Sequence, residues 1–221
     1  MTAGNETPEE SPFVTPYPHY DVLQKWDSPS FNDATRRALT QRLTEVPRRR
    51  FFDAERYARL RAVMDCVLPQ PERSDAERIP VEAWIDAQLE ANQGSGTRYA
   101  GTPTQREAWR RGLDALEAEA HARHGSGFSD LSPEQQTALL KAVDNGAVDQ
   151  AHWQGVHPQR FFREILLKDA VKIYYAHPAA WSEMGFGGPA APRGYVRLGP
   201  DDRDPWEAAE ERPPQPVRGL P

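Results

Sequence analysis

The stretch from Gln159 to Leu198 sets the strongest limit on how this chain can fold. Apolar side chains recur in its first half at the spacing of one helix face, and they are Phe162, Ile165, Leu166, Ala170, Ile173 and Tyr174. Pro178 cannot continue this helix, because proline lacks a backbone N–H and clashes with the preceding turn. The residues that follow mix large apolar side chains with glycines and prolines, a composition that disordered linkers rarely have. We therefore predict a long helix followed by an ordered, irregular segment, residues 178–198, which we call the strap. It is expected to lie on a surface of this protein or of a partner.

Apolar stripes between start and stop signals predict further helices. Asn32 or Asp33 can cap a short helix that runs to about Glu45, and Asp53 can cap a stronger one. Pro80 suits the first turn of a third helix. The residues expected to face the core on the second and third helices are Tyr57, Leu60, Met64, Val67, Leu68, Val81, Trp84, Ile85 and Leu89.

Two capping boxes predict the next helix starts. Thr102-Pro103-Thr104-Gln105 and Ser132-Pro133-Glu134-Gln135 each place a hydroxyl residue three positions before a glutamine, with proline at the first helical position. The helices that follow are expected to end before Gly125 and near Asn145-Gly146, since glycine commonly follows a helix C-terminus.

No run of alternating apolar and polar residues predicts a strand. The expected fold class is therefore all-α, an irregular bundle of about five or six helices with an extended N-terminal arm and a Gly/Pro/aromatic C-terminal strap. Prolines among aromatic residues favour extended structure in the arm, residues 1–30. The helical domain with its strap is expected to span 31–198, and the acidic, proline-rich tail over 199–221 is expected to be disordered.

The composition favours a protein that works with a partner. Its 221 residues can bury a sizeable core. With 21 prolines and a mean hydropathy of -0.78, however, the chain is polar on average for a domain that folds without a partner. Some apolar surface is therefore expected to be buried only in a complex. The net charge of -6 comes without a sustained basic block, which argues against nucleic-acid binding. The single cysteine, Cys66, rules out an internal disulfide framework.

The sequence also bears on localisation. No apolar run is long enough to cross a bilayer, and the segment from Met1 to Ser11 is acidic and polar, unlike a secretory signal. Arg48-Arg49-Arg50-Phe51-Phe52 looks like a twin-arginine export motif, but charged residues follow it where such a signal needs an apolar segment. We expect a cytoplasmic protein, or a periplasmic one only if a signal-bearing partner carries it across.

One cluster could carry metal chemistry. Glu117, His121 and His124 fall on one side of the fourth predicted helix, a spacing that can gather a carboxylate and two imidazoles. A carboxylate-bridged di-iron bundle needs a second such set, which the sequence lacks, and histidines also suit a helix C-terminus electrostatically. We assign no catalytic, cofactor-binding or metal-binding residue to this chain.

The glycine-rich part of the strap could suggest a phosphate-binding loop. Gly185-Phe186-Gly187-Gly188-Pro189 matches neither glycine pattern that binds nucleotides, and no strand precedes it. We predict a packed turn in which the glycines permit close backbone approach.

The residues expected to contact a partner lie in the strap and the arm. Large aromatic side chains and arginines in irregular segments are typical anchors of protein interfaces. The candidates are Trp181, Met184, Phe186, Arg193, Tyr195 and Arg197 in the strap, and Tyr20 and Trp26 in the arm.

Residues spread over positions 50–198 match the pattern of a known family. The helical blocks are Leu60, Val67-Leu68-Pro69, Val81, Trp84-Ile85-Asp86, Gly112-Leu113, Leu116, Gly125, Phe128, Leu131-Ser132, Gln135-Gln136 and Leu139-Leu140. The most specific block contains Phe161, Tyr174, Pro178, Trp181, Gly185-Phe186-Gly187-Gly188-Pro189 and Pro192-Arg193-Gly194-Tyr195. In these residues the chain resembles the gluconate 2-dehydrogenase subunit 3 family, the small subunit of bacterial FAD-dependent sugar dehydrogenases.

The resemblance implies a non-catalytic accessory subunit that binds, and stabilises or matures, a larger partner. That partner would be a glucose–methanol–choline-type (GMC-type) oxidoreductase that holds FAD and oxidises a sugar or polyol. The resemblance thus implies FAD in the partner and no cofactor in this chain. Many family members carry a twin-arginine signal, and this sequence departs from them in that respect.

Two other interpretations stay open. The cluster of Glu117, His121 and His124 would suit a stand-alone helical metal-dependent oxidoreductase. The composition would equally suit a general helical interaction protein unrelated to flavoenzymes.

Overall fold

The computed structural model describes residues 15–94, 96, 101–194 and 206–209. Within these ranges the structure is helical, and β pairing is limited to one isolated bridge between Phe31 and Ala191. The expected all-α fold is confirmed. The described residues form two compact units. The larger unit is Thr40–His177, and the smaller one consists of the described residues up to Leu39 and from Pro178 onward.

Seven helices lie in the part of the chain that the structure describes. They are α1 (Asp33–Thr44), α2 (Ala54–Val67), α3 (Val81–Glu90), α4 (Gln105–His124), α5 (Pro133–Asn145), α6 and α7 (Pro178–Glu183). Helix α6 runs continuously through an α-helical start at Pro158–Arg160, a π-helical segment at Phe161–Leu166 and an α-helical end at Leu167–Tyr174. Single 3-10 turns lie at Val22–Lys25, Phe128–Asp130 and Gln150–Trp153.

The starts of α2 and α5 are those predicted from their cap residues. The Asp53 carboxylate accepts a hydrogen bond from the Arg56 N–H at 2.8 Å. Ser132 and Gln135 form a reciprocal capping box at the start of α5, with proline in the first turn. These local bonds satisfy N–H groups that have no partner inside the helix.

The predicted start of α4 at Thr102 is wrong by two residues. The capping residue is Thr104, whose hydroxyl accepts from the Glu107 N–H at 3.3 Å, while the Glu107 carboxylate accepts from the Thr104 N–H at 3.1 Å. Thr102 with Gln105 and Thr104 with Glu107 both satisfy the capping-box pattern. A helix that starts after Thr104 has an anionic glutamate, rather than a neutral glutamine, at the third position of its first turn, where the helix dipole favours negative charge.

Helix α4 passes through the core of the larger unit. Trp109, Leu113 and Leu116 on α4 are fully buried, as are Trp153 and Phe161. Gly112 allows Phe161 to approach α4 closely, because a Cβ at Gly112 would lie 2.3 Å from ring carbons of Phe161.

The core-facing residue at the start of α6 differs from the prediction. Phe161 is buried, whereas the predicted Phe162 is only half-buried. The π-helical segment explains the difference, since its i→i+5 hydrogen bonds shift which residues share a face relative to a 3.6-residue period.

A buried carboxylate fixes the segment that precedes α2. Asp86 on α3 has no exposed surface and accepts hydrogen bonds from the N–H groups of Arg50 at 2.6 Å, Phe51 at 3.1 Å and Phe52 at 2.9 Å. Phe51 and Phe52 are buried, whereas Arg48, Arg49 and Arg50 are exposed. The segment that resembles an export motif is thus part of the folded larger unit.

The smaller unit has its own apolar core. Val22, Phe31, Leu39 and Trp181 are buried together, with Tyr20, Leu23 and Trp26 packed against them. The arm and the strap are also hydrogen bonded: Val22 N–H donates to the Ser182 hydroxyl at 3.2 Å, and Ala191 N–H donates to the Ser30 carbonyl at 2.9 Å.

Two local predictions for these segments are corrected by the structure. The described part of the arm is not extended throughout, because Asp21 caps the 3-10 turn Val22–Lys25 with a bond to the Leu23 N–H. The strap begins as helix α7 rather than as irregular chain. The same Pro178 that cannot continue α6 is well suited to the first position of a new helix.

Candidate functional site

Trp181 is a core residue of the smaller unit. Its side chain is only 5% exposed and packs with Val22, Phe31 and Leu39. Its carbonyl accepts from the Phe186 N–H at 2.9 Å, and the two rings meet edge to face with centroids 5.8 Å apart. The structure therefore places Trp181 beneath Phe186, where it supports that side chain from inside.

The glycines of the strap form a packed turn, as predicted. Gly185 and Gly188 have φ values of 69° and 66°, in the left-handed region that favours glycine. A Cβ would lie 2.6 Å from the Tyr17 ring at Gly185 and 3.0 Å from the Trp181 ring at Gly188. Aromatic rings cover the backbone at both positions, an arrangement that does not fit the phosphates of a bound cofactor.

Three large apolar side chains of the smaller unit are exposed. Met184 is 48% exposed, Phe186 is 42% exposed and Trp206 is 38% exposed. The Trp206 carbonyl accepts from the Tyr20 hydroxyl at 2.9 Å and lies 3.9 Å from the position of a Cβ on Gly187, next to Phe186. We call Met184, Phe186 and Trp206 the apolar surface.

Trp206 was not among the residues selected from the sequence. It lies in the tail expected to be disordered, where composition alone gives no sign of a contact. At residues 206–209 the chain is packed, since Ala208 is buried and the Trp206 carbonyl is hydrogen bonded. The acidic and proline-rich remainder of the tail lies outside the described residues.

The other candidates divide into two groups. Tyr20, Trp26 and Arg193 are half-buried and make contacts inside the smaller unit. Trp26 meets Phe31 edge to face at 6.1 Å, and the Arg193 Nε donates to the Ser30 hydroxyl at 2.9 Å. Tyr195 and Arg197 lie outside the described residues. Among the described candidates, Met184 and Phe186 therefore offer the most side-chain surface to a partner.

The Glu117 carboxylate is engaged within the fold. Its Oε2 accepts from the Arg59 Nε at 2.8 Å and from the Phe128 N–H at 2.9 Å, and its Oε1 lies 3.6 Å from the His121 Nε2. Burial alone would raise the pKa of Glu117, but the hydrogen bonds from Arg59 and Phe128 outweigh it and lower the pKa. The described residues contain no group of three or more His, Cys, Asp or Glu side chains that could hold a metal ion.

Two further carboxylates, the buried Glu119 and the half-buried Asp169, connect elements of the larger unit. Glu119, which is almost fully buried, accepts from the Asp149 N–H at 2.8 Å and lies 2.9 Å from the His152 Nδ1. Asp169 accepts from the Trp109 Nε1 at 2.9 Å and from the Gln105 Nε2 at 2.6 Å. Burial raises the pKa of Asp169 against the opposing effect of these two bonds. Both carboxylates therefore have partners within the larger unit.

The larger unit also exposes apolar side chains. Val171 and Tyr175 are 44% and 45% exposed and are separated by one turn of α6. Leu43 and Val46, at and beyond the end of α1, are exposed as well.

A comparison with known families decides what kind of protein presents these surfaces. The family model described as gluconate 2-dehydrogenase subunit 3 matches residues 54–188, a range that includes Met184 and Phe186. The chain belongs to the gluconate 2-dehydrogenase subunit 3 family. Members of this family are subunits of a multi-subunit gluconate dehydrogenase complex, which implies that this chain has partner subunits. No curated protein and no solved structure gave a match.

A membrane-spanning helix has to be long and apolar enough to cross a membrane. None of the helices in the described ranges combines the length and apolar character needed to span one.

Proposed function

We propose that this member of the gluconate 2-dehydrogenase subunit 3 family is a non-catalytic accessory subunit. It binds, and stabilises or matures, a larger GMC-type dehydrogenase that holds FAD and oxidises a sugar or polyol. The observation that carries the proposal is the exposure of Met184 and Phe186 in the part of the strap, up to residue 188, that lies within the family match.

The physical basis of docking is the burial of apolar area that the free subunit leaves in water. Fully burying a side chain such as Phe or Met stabilises by about 1.5–3 kcal/mol. Because Met184 and Phe186 are about half exposed, a partner that covers them would gain about half of that free energy. The turn that carries them is held by the Trp181 core and by the hydrogen bond between the Phe186 N–H and the Trp181 carbonyl. A fixed turn loses little conformational freedom on binding, which favours affinity.

The proposal assigns the chemistry to the partner. FAD supplies the redox chemistry there, and the residues of this chain bind and brace the flavoprotein. We place the complex in the cytoplasm, or in the periplasm if a signal-bearing partner carries this chain across. The cytoplasmic assignment is supported by residues 48–52, where the buried Phe51 and Phe52 and the bonds to Asp86 make this segment part of the fold.

The test is a double substitution on the apolar surface. We expect Met184→Ser with Phe186→Ser to weaken binding of the flavoprotein about 30-fold, because each change removes about 1 kcal/mol of apolar burial at the interface. The measurement is co-purification and titration with the flavin-containing subunit that accompanies the tagged wild-type chain. Circular dichroism checks that the variant is folded.

A matched pair of changes controls for the general loss of apolar surface. Leu43→Ser with Val46→Ser removes exposed aliphatic groups from the larger unit and is expected to leave the affinity unchanged. If the Met184 and Phe186 variant is folded and binds as tightly as wild type, the apolar surface is not the docking site.

A further inference from the structure

Most arginines of the larger unit that have a polar partner in the structure pair with carboxylates. Arg56 lies 2.8 Å from Asp114, and Arg59 lies 2.8 Å from Glu117. Four arginines, two over the ring of Phe51 and two on the segment that precedes it, are less fully paired among the described residues. We call this group the arginine surface, and its members are Arg48, Arg50, Arg106 and Arg110.

Two of these arginines lie over the same aromatic ring. The guanidinium carbons of Arg110 and Arg106, one turn apart on α4, are 4.1 Å and 4.9 Å from the centre of the Phe51 ring. Like charges at this spacing repel, while the face of the ring attracts each of them. The ring thus holds two cations close together on one part of the surface.

The charges of this pair are incompletely compensated. Arg106 has one carboxylate nearby, with its Nη2 3.7 Å from the Glu90 Oε2, and its buried Nε lacks a hydrogen-bond partner among the described residues. Arg110 has no carboxylate partner in the ranges that the structure describes. A buried donor without a partner is unfavourable, and the attraction of the Phe51 ring for the Arg106 guanidinium opposes this cost.

The remaining two arginines lie on the segment that carries Phe51, and the backbone of that segment is fixed at Arg50 and Phe51. The N–H groups of Arg50 and Phe51 donate to the buried Asp86, which fixes the chain while the side chains of Arg48 and Arg50 are exposed. Two carboxylates in contact with or close to this segment are already engaged: Asp86 binds its backbone, and Asp53 pairs with Arg56. The result is a positive surface on a chain whose net charge is -6.

We propose that the arginine surface binds a carboxylate-rich segment of the partner subunit, an inference that rests on the proposed function. A guanidinium that lies on an aromatic ring keeps its N–H edges for a bidentate contact with a carboxylate. Several fixed guanidinium groups suit several Asp or Glu side chains on one segment. Complementary charge of this kind directs orientation and speeds association, whereas the apolar surface supplies most of the affinity. The negative charge of the chain as a whole disfavours a nucleic acid as the occupant.

The test compares charge reversals at matched exposed positions. The variants are Arg110→Glu and Arg50→Glu, with Lys141→Glu on α5 as a control that changes the net charge equally. The probe is the FAD-containing subunit that co-purifies with the wild-type chain, titrated at about 0.1 M and about 1 M salt, where the Debye length is about 10 Å and about 3 Å. Arg110→Gln, which removes the charge without reversing it, and circular dichroism check that the fold is retained.

We expect each reversal at Arg110 or Arg50 to weaken binding about tenfold at the lower salt and by less than about threefold at the higher salt, because salt screens surface charge. Arg110→Gln should show a smaller loss, and Lys141→Glu should bind as wild type. If Arg110→Glu and Arg50→Glu bind as tightly as Lys141→Glu at low salt, the inference is wrong while the proposed function stands. If the wild-type chain forms no complex with a flavoprotein, both are wrong.

Discussion

His177 lies at the end of the larger unit, in a half-buried position. Its Nε2 is 3.2 Å from the Arg42 carbonyl oxygen, so the neutral ring with a proton on Nε2 can donate to it. Burial lowers the pKa of His177 below its ordinary value near 6.5, the bond to Arg42 opposes this, and the charges of Arg73 and Arg42 add to the lowering. The folded protein therefore favours the neutral imidazole.

This shift predicts how stability depends on pH. The pKa of His177 is lower in the folded state, so as the pH falls below about 6.5 the unfolded chain binds the proton before the folded protein does. The free energy of unfolding therefore decreases between pH about 6.5 and the lower pKa of the folded state. Above that window His177 makes no pH-dependent contribution. We expect His177→Gln, which keeps a side-chain donor, to lose this part of the pH dependence. The measurement is urea unfolding of both proteins between about pH 7.5 and about pH 5.5. Equal slopes in the two proteins would contradict the assignment.

The strap residues show that neighbouring aromatic residues can have different roles. Trp181 is buried in the core of the smaller unit, and Phe186, five positions later, is exposed against its ring. Replacing Trp181 would disturb the fold and the docking surface together. Phe186 and Met184 are the positions at which binding can be tested with the least effect on the core.

At the scale of elements, the contact between α4 and α6 depends on a missing side chain. Gly112 lies in the middle of α4, where glycine is normally unfavourable by about 1 kcal/mol relative to alanine. The ring of Phe161 occupies the space that a Cβ on Gly112 would need, since ring carbons lie 2.3 Å from that Cβ position. Close packing of these helices therefore explains the glycine.

Gly112→Ala tests this packing. We expect a net loss of about 1 kcal/mol or more in the free energy of unfolding, because overpacking at about 1–3 kcal/mol outweighs the gain in helix propensity. Denaturant unfolding measures it. Combining Gly112→Ala with Phe161→Leu removes the clashing ring atoms and should recover part of the loss relative to Phe161→Leu alone. A stabilised Gly112→Ala protein would show that α4 and α6 can separate without cost.

Local signals predicted most of the elements. Ser132 and Asp53 are the cap residues expected from sequence, because a capping bond involves neighbours along the chain. Thr102 and Thr104 each satisfied the same capping pattern, and sequence alone could not decide between them. The π-helical segment of α6 was not predicted, because no sequence period distinguishes it from an α-helix.

The candidate site was less accessible to sequence reasoning than the fold. Aromatic content marked the strap as important, but it could not separate the buried Trp181 from the exposed Phe186. Trp206 was missed because its contact with Tyr20 joins residues 186 positions apart. The arginine surface was missed because it joins two segments far apart in sequence: Arg48 and Arg50 lie in the segment that resembles an export motif, and Arg106 and Arg110 lie on α4.

At the scale of the whole molecule, the described residues of the chain present two kinds of surface. The apolar surface of the smaller unit suits stable docking, and the arginine surface of the larger unit suits orientation by charge. The buried carboxylates described above have partners inside the fold. We expect these two kinds of surface in a subunit with the proposed role, which is to bind a partner that carries the redox chemistry.

The most direct test of the central claim is the flavin content of the large subunit, purified after expression with and without this chain. We expect co-expression to give a yellow, dehydrogenase-active complex, and the large subunit alone to carry about tenfold less flavin and activity, because a bound partner stabilises the folded, cofactor-loaded state by mass action. The chain alone should be colourless and inactive. A large subunit that is fully loaded and active without this chain, or oxidation of a sugar by the isolated chain, would contradict the account.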